Sequence, residues 1–259
     1  MYVQKTFFFE DSTEYEYKFV GKYGAKGEKR QKKEKATPEQ IRRQNQWNRQ
    51  TKVRRMIKAN FRPGDYWMTL RYGKGHRPPL AQVKKDFKNF RECLRRRYKK
   101  AGVELKYIYR MEVGKNGGIH IHFLVNAEEK IPASVINTLW QSVQGTTSIY
   151  YTHIYEDGDY EDLADYITKQ PSKEIRGQLS LFPEKEQDDL IRYNCSRNLV
   201  TVEPEVRKRT HWTMRKLIDR GPEPTPGYYI VKESIRQGIN RVTGYSYLYY
   251  TERRKGGGG

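Results

Sequence analysis

The strongest constraint on the fold is a pair of β-prone segments joined by a short glycine-rich turn. Residues 105–113 and 119–125 are rich in aliphatic and aromatic side chains, and the turn between them reads Gly114-Lys-Asn-Gly-Gly118. Two such segments separated by a turn of this composition are typical of a β-hairpin. The pair therefore predicts two neighbouring antiparallel strands.

Further strands and helices flank this hairpin in a definite order. Segment 66–72 is aromatic and bounded by glycine-containing turns, and segment 148–155 is also β-prone. Helices are predicted over residues 79–102, 132–140 and 159–169. The order strand, helix, strand, strand, helix, strand, helix predicts an α+β fold. We expect a central antiparallel sheet with helices on one face, in the split β-α-β, ferredoxin-like arrangement.

The charge of the chain indicates the kind of partner that it meets. Its 51 Lys and Arg residues exceed its 31 Asp and Glu residues, which gives a formal net charge of +20. A protein this basic usually binds a polyanion, and nucleic acid is the commonest one. No apolar run approaches the roughly 20 residues of a transmembrane helix, and no signal-peptide core opens the chain, so no membrane partner is expected. The two cysteines lack metal-ligand spacing and predict reduced thiols in a cytoplasmic protein.

Charge and composition divide the chain into four predicted parts. Residues 1–62 form a basic N-terminal arm, residues 63–170 a compact domain, residues 171–189 a polar linker and residues 190–259 a C-terminal extension of unassigned role. The densest basic stretch runs over residues 22–62, and such a segment buries little apolar surface. We expect it to be flexible, with a helix from Pro38 onward, and to contact DNA.

Two histidines share one face of the second hairpin strand. Side chains alternate along a strand, so His120 and His122 project from the face opposite to Ile119, Ile121 and Phe123. Two imidazoles about 7 Å apart on one strand face can share a metal ion. The same pattern also arises by chance in a strand whose second face is solvated.

The hairpin register decides whether a carboxylate joins these histidines. If the loop covers residues 114–118, Glu112 lies opposite His120. If the loop covers residues 114–117, Glu112 faces the other way, because a one-residue slip reverses every side chain. Two nitrogens and one oxygen suit Mn²⁺ or Mg²⁺ bound to a phosphate, with Zn²⁺ as a third option.

A tyrosine and a lysine follow on the last predicted helix. Tyr166 and Lys169 are three residues apart and share a helix face. A tyrosine oxygen can act as a covalent nucleophile when it loses its proton, and an ammonium group stabilises the resulting charge. Taken alone, the pair favours the simpler interpretation, an ordinary tyrosine and a lysine favoured at a helix C-terminus.

Together these motifs resemble a known family. The histidine pair around one hydrophobic residue resembles the motif of the HUH endonuclease superfamily, and the Tyr-X-X-Lys helix that follows resembles the third motif of rolling-circle replication initiators. Segment 66–72, with Thr69 and Leu70 inside it, is similar to the first motif. The resemblance covers about residues 63–170, with the three motifs in the family's order.

The resemblance implies a site and a reaction. Tyr166 would be the nucleophile, Lys169 its helper, His120 and His122 metal ligands, and Glu112 the third ligand. Gln170 stands near the place where two-tyrosine members carry their second tyrosine, so one catalytic tyrosine is expected. The implied activity is metal-dependent, site-specific nicking and rejoining of single-stranded DNA through a 5′-phosphotyrosine intermediate.

The resemblance also implies partners and a setting. The substrate would be single-stranded or hairpin origin DNA, in the cytoplasm of a bacterial host that carries a plasmid, phage or other mobile element. No Gly-X4-Gly-Lys-Ser/Thr phosphate loop occurs in the chain, so unwinding and synthesis would come from a separate host helicase and polymerase.

Other interpretations stay open at this point. The same chemistry would suit a transposase or a mobilisation relaxase. A non-catalytic protein that binds single-stranded nucleic acid, or a structural protein that binds packaged DNA, would leave the histidines incidental and Tyr166 without a role.

Overall fold

A computed structural model of the protein describes residues 1–21, 30–144, 149–155 and 157–255. The chain divides into two compact units. The central unit is Gln46–Val200, and the terminal unit combines Met1–Asn45 with Thr201–Gly259.

The helices and strands are numbered along the chain. The strands are β1 (Tyr2–Phe8), β2 (Ser12–Phe19), β3 (Tyr66–Leu70), β4 (Tyr107–Val113), β5 (Ile119–Val125), β6 (Ile149–His153), β7 (Tyr193–Cys195), β8 (Glu205–Arg209), β9 (Tyr228–Asn240) and β10 (Tyr245–Arg254). The helices are α1 (Pro38–Asn60), α2 (Leu80–Ala101), α3 (Ala133–Gln144), α4 (Glu161–Thr168), α5 (Lys173–Leu179), α6 (Glu184–Ile191) and α7 (His211–Arg220), and a short 3-10 turn covers Asp157–Tyr160.

The central unit is built on a five-stranded sheet in the order β6-β3-β5-β4-β7. Each neighbouring pair is antiparallel. Its main core lies on the face covered by α2 and α3, where Phe87, Phe90 and Trp140 pack against Phe123 and other strand side chains. The predicted α+β class with a central antiparallel sheet is confirmed.

The long helix α2 follows directly from its sequence. Its large aliphatic and aromatic residues recur at helical spacing and are buried, and Gly102 ends the helix with φ 81°, a left-handed conformation that glycine adopts without strain. The prediction of a helix over 79–102 is therefore confirmed.

Helices cover the second face of the sheet as well, which the prediction of helices on one face did not include. Val53 and Ile57 of α1 and Ala164 and Ile167 of α4 form a smaller core there. The reason is that Ile108 and Leu124 also point to that face and need apolar partners. As a result α4, and with it Tyr166, lies over the face that carries the histidines.

The predicted arm over residues 1–62 differs from the structure. Strands β1 and β2 form a hairpin within a second antiparallel sheet, in the order β8-β1-β2-β10-β9. Tyr2, Tyr17 and Phe19 are buried in its core. High average charge conceals the alternation of aromatic and polar residues that produces these strands. The predicted helix from Pro38 is present as α1, whereas residues 22–29 of the basic stretch lie outside the described residues.

The predicted linker over residues 171–189 also differs from the structure, because it holds α5 and most of α6. Each helix buries one leucine, Leu179 or Leu190, in the main core of the central unit. Ser172 caps α5, since its hydroxyl accepts a hydrogen bond from the Ile175 amide. Polar composition concealed these helices because so few of their residues are buried.

The predicted C-terminal extension, residues 190–259, divides between the two units. Strand β7 completes the central sheet, whereas β8, α7, β9 and β10 belong to the terminal unit. The glycine run at 256–259, and residue 148 of the predicted strand 148–155, lie outside the described residues. None of the described helices is long and apolar enough to cross a membrane.

Candidate active site

The β4–β5 hairpin sets the register of the site. Glu112 pairs with His120 and Val113 pairs with Ile119 across residues 114–118. The five-residue loop is confirmed, so Glu112, His120 and His122 project from one face of the sheet, as the sequence predicted.

Gly114 allows His120 to lie close to the end of the hairpin. A Cβ atom at position 114 would lie 2.7 Å from Nε2 of His120, nearer than side chains approach one another. A side chain at position 114 would therefore displace the imidazole that packs on it. At Gly118 the same atom would lie 3.9 Å from the ring, in ordinary contact.

Tyr166 lies over this face and contacts two of the predicted site residues. Its hydroxyl oxygen is 3.0 Å from Nε2 of His122 and 3.5 Å from Oε2 of Glu112. Burial, followed by the nearby Glu112 carboxylate, raises the pKa of Tyr166 to about 12. Its phenol is therefore protonated at neutral pH, as the donor in a hydrogen bond to the imidazole or the carboxylate.

Lys169 meets Tyr166, but not from the same helix as predicted. Helix α4 ends at Thr168, and Lys169 has an extended backbone with ψ 144°. Its ammonium group lies 3.7 Å from the centre of the Tyr166 ring and 3.7 Å from Oε1 of Glu112. The side chain therefore places a positive charge between the phenol and the carboxylate.

The comparison with known families concerns this same region. Residues 65–174 match the family model described as replication-associated protein ORF2, a family of rolling-circle replication initiators. The resemblance of this region to rolling-circle replication initiators is confirmed. The match covers less than half of the chain and contains every predicted site residue. No curated protein and no solved structure gave a significant match.

Arg110 is a residue of this replication-associated region that sequence reasoning missed. It is 1% exposed, on the same face as Glu112, and its guanidinium donates to the backbone oxygens of Tyr166, Ile167 and Lys169 at 3.4, 3.2 and 2.7 Å. A cation at a helix C-terminus satisfies carbonyls that lack helical partners. Arg110 therefore attaches the end of α4 to the sheet. The sequence signal for Arg110 was its position two residues before Glu112, which places both side chains on the same face of β4.

Strand β3, which carries the first motif, orients His122. The Trp67 indole stacks on the imidazole with ring centres 5.8 Å apart and meets the Tyr166 ring edge-on at 5.7 Å. The Thr69 hydroxyl lies 3.3 Å from Nδ1 of His122. These contacts hold the ring so that Nε2 faces Tyr166.

Glu112 and His120 have the protonation states that a divalent cation requires of its ligands. Burial favours the neutral Glu112 carboxyl, but the His122 hydrogen bond and the charges of Lys169 and Arg110 outweigh it and lower the pKa to about 2. Burial lowers the pKa of His120 and so favours its neutral form. An ionised carboxylate and a neutral imidazole are the forms that bind metal.

The side chains of the three proposed ligands do not all meet at one point. Oε2 of Glu112 lies 3.3 Å from Nε2 of His122, whereas His120 packs on Gly114. Among the residues that the structure describes, no three His, Cys, Asp or Glu side chains converge closely enough to hold a metal ion. Of the three predicted ligands, Glu112 and His122 therefore lie together, whereas His120 lies apart from them. The nitrogen and oxygen donors of these residues are of the kind that binds the cation.

Proposed function

We propose that this protein nicks and rejoins single-stranded origin DNA during rolling-circle replication, through a covalent link to Tyr166. The match to replication-associated proteins supports the role in replication initiation. The observation that carries the chemistry is the Tyr166 hydroxyl, 3.0 Å from His122 and beside Glu112. A phenol held against an imidazole and a carboxylate can serve as a nucleophile.

The proposed reaction transfers one phosphoryl group. The Tyr166 oxygen forms a bond to phosphorus as the bond from phosphorus to the 3′ oxygen breaks. The phenol loses one proton and the leaving 3′ oxygen gains one, so the step gives a 5′-phosphotyrosine and a free 3′-hydroxyl. Because the phosphodiester is exchanged rather than hydrolysed, reversal of the step rejoins the strand.

The neighbouring charges suit this transfer. The pKa of about 12 makes the phenolate costly, and the charges of Arg110 and Arg71 lower that cost. The Lys169 ammonium, 3.7 Å from the ring centre, adds a third positive charge beside the phenol. Arg110 keeps the end of α4 in place while the tyrosine reacts. We propose His120, His122 and Glu112 as ligands of Mn²⁺ or Mg²⁺. When bound, such a cation supplies Lewis-acid polarisation of the scissile phosphate.

The biological setting belongs to the same proposal. Single-stranded or hairpin origin DNA is the substrate, and a separate host helicase and polymerase supply unwinding and synthesis. The protein acts in the cytoplasm of a bacterial host that carries a plasmid or phage. One catalytic tyrosine is proposed because residue 170 is Gln.

The test is a covalent-adduct assay with matched variants. Wild type, Tyr166→Phe and Tyr150→Phe are incubated with single-stranded origin DNA in Mn²⁺ or in EDTA, then separated on denaturing gels. Tyr150 is the control because it is 63% exposed on an edge strand. We expect an adduct with wild type and Tyr150→Phe in Mn²⁺, and none with Tyr166→Phe or EDTA. Tight binding to the origin without any adduct would leave a non-catalytic DNA-binding protein.

A further inference from the structure

A basic groove lies on the face of the central sheet opposite to Tyr166. A groove of about 870 Å³ is bounded by α2 on one side and by β4, β7 and the residues after β7 on the other. We call it the α2 groove. Its principal lining residues are Arg91, Arg95, Lys99, Tyr107, Tyr109 and Arg197.

The cations of the α2 groove form a regular row. Arg91, Arg95 and Lys99 follow one another at intervals of four residues, so they share one helix face at a rise of about 6 Å each. Arg197 contributes a fourth positive charge from the facing wall. Within the described residues, Arg95, Lys99 and Arg197 form no ion pair. The groove therefore presents positive charge that the protein does not neutralise.

Arg91 is held rigidly at the base of this row. Its guanidinium lies 4.8, 5.6 and 5.2 Å from the ring centres of Phe87, Tyr107 and Tyr109, and it donates to the Tyr107 hydroxyl at 2.9 Å. Its Nε is buried and has no hydrogen-bond partner in the part of the chain that the structure describes. A cation fixed in this way loses little conformational entropy when it binds an anion.

The acidic content of the α2 groove is low and already engaged. Glu104 is the acidic residue among those that line it, and its carboxylate accepts a hydrogen bond from the Asn198 amide at 3.2 Å. The C-terminal carbonyls of α2 would repel an anion, but Lys99 and Lys100 in the last turn offset that dipole. The net field in the groove therefore favours an anionic ligand.

The length of the cationic row indicates a polymer rather than a small anion. Lys88, also exposed, extends the same helix face beyond the groove. The groove is bounded on both sides, by α2 and by the residues after β7, which favours a flexible single strand over a rigid duplex. We propose that the α2 groove binds the sugar–phosphate backbone of a single DNA strand outside the cleavage site, without base preference. The inference rests on the DNA partner of the proposed function but not on its tyrosine chemistry.

The first test measures the salt dependence of binding with charge-matched variants. The groove variant is Arg95→Gln, Lys99→Gln, Arg197→Gln, and the control is Lys85→Gln, Arg96→Gln, Arg97→Gln. The control residues are exposed on α2 and do not line the groove. Both variants lose three charges. Affinity for a fluorescent 30-nucleotide single strand is measured by anisotropy against salt.

The expected result is a difference in slope. Each phosphate contact contributes about 0.7 to the slope of log affinity against log salt for a single strand, so the groove variant should lower it by about 2. The control should leave the slope within experimental error of wild type. Equal losses in the two variants would overturn the proposal, because they would show diffuse charge rather than a groove.

The second test reports occupancy of the groove directly. Asn194 lines the groove, is exposed and pairs with Tyr109, so Asn194→Cys in a Cys93→Ser, Cys195→Ser background places the one thiol for iodoacetamide on that face. We expect the single strand to slow alkylation at least fivefold, and the groove variant to lose that protection. Unchanged alkylation would overturn the proposal. Protection by a duplex but not by a single strand would overturn the assignment to a single strand.

The groove and the tyrosine chemistry can fail separately. Tyr166→Phe should keep the protection of the thiol at position 194, and the groove variant should still form an adduct on a short oligonucleotide that spans only the nick. If the single strand protects the thiol but the wild type forms no adduct, the proposal for the groove stands and the proposed nuclease activity is rejected. If the wild type forms an adduct but the thiol is not protected, only the proposal for the groove is rejected.

Discussion

The two faces of the central sheet differ in what holds them together. On the α2 face, Phe123 and Ile121 are fully buried among apolar side chains. On the opposite face, His122, Glu112 and Arg110 are held by hydrogen bonds and charge. Neighbouring residues of β5 thus serve different purposes. One face supplies most of the apolar burial, so the other can hold polar groups in fixed positions for chemistry.

The difference follows from strand geometry. Side chains alternate across a strand, so every residue that strengthens the core places its neighbour on the reactive face. A polar group on that face is stabilising only if its hydrogen bonds are satisfied. The contacts of His122 with Thr69, Trp67 and Tyr166 meet that condition. Rigid support from one face therefore gives orientation on the other.

The largest effect is expected for Phe123→Ala. Phe123 is fully buried and packs edge-on against Phe87 and Phe90 at 5.6 and 5.9 Å. Removal of a buried phenyl ring leaves a cavity and should lower the free energy of unfolding by about 3–5 kcal/mol. Urea denaturation followed by circular dichroism measures this loss.

The matched control is the next residue back along the strand. His122→Ala removes a smaller buried ring and its hydrogen bonds, so it should lower the free energy of unfolding by about 1–3 kcal/mol, less than Phe123→Ala. It should abolish adduct formation all the same. Equal destabilisation by the two substitutions would contradict the inference that the α2 face supplies most of the stability and the opposite face supplies the chemistry.

An intermediate effect is expected for Arg110→Met. The change removes the donor to three backbone oxygens at the end of α4 and should lower the free energy of unfolding by about 1–3 kcal/mol. Displacement of Tyr166 by about 1 Å should slow adduct formation on the order of 100-fold. Single-turnover adduct kinetics measure the rate. Arg110→Lys, which keeps the charge with fewer donors, should recover part of it, and full activity in Arg110→Met would show that α4 needs no attachment.

The smallest effect is expected at the hairpin end. Gly114→Ala places a methyl group 2.7 Å from Nε2 of His120 and should displace that imidazole. The Mn²⁺ concentration for half-maximal adduct formation should rise about tenfold, in the range seen when a ligand loses its support. Stability should change little. Gly118→Ala is the control, because its methyl group would lie 3.9 Å from the ring and should leave the Mn²⁺ requirement unchanged. If the two variants have the same Mn²⁺ requirement, His120 is not part of the site.

Local patterns in the sequence were sufficient for much of the central unit. The apolar spacing of α2, its terminal Gly102 and the bounds of β5 depend on neighbours within a few residues, and all three are as predicted. The sequence left two possible registers for the β4–β5 hairpin. The structure has the one with a loop over residues 114–118. Such features are predictable because the chain positions they relate are close together.

Features that depend on distant residues were not predictable in this way. Strand β1 pairs with β8, about 200 residues later, so nothing nearby reveals its outer partner. Arg110 has its role only because α4 returns over the sheet 56 residues later. The sheet formed by the two ends of the chain was missed for the same reason.

The sequence by itself determined which chemical groups are present and in which order: one strand with a histidine pair, a carboxylate one hairpin away, and a Tyr-X-X-Lys segment. The tertiary structure decided which of them touch. It placed Tyr166 against His122, Lys169 between phenol and carboxylate, and His120 against Gly114. Alternation along a strand is a property of the backbone and can be read locally. Contact between elements depends on how their apolar faces pack, and that is settled only when the whole core forms.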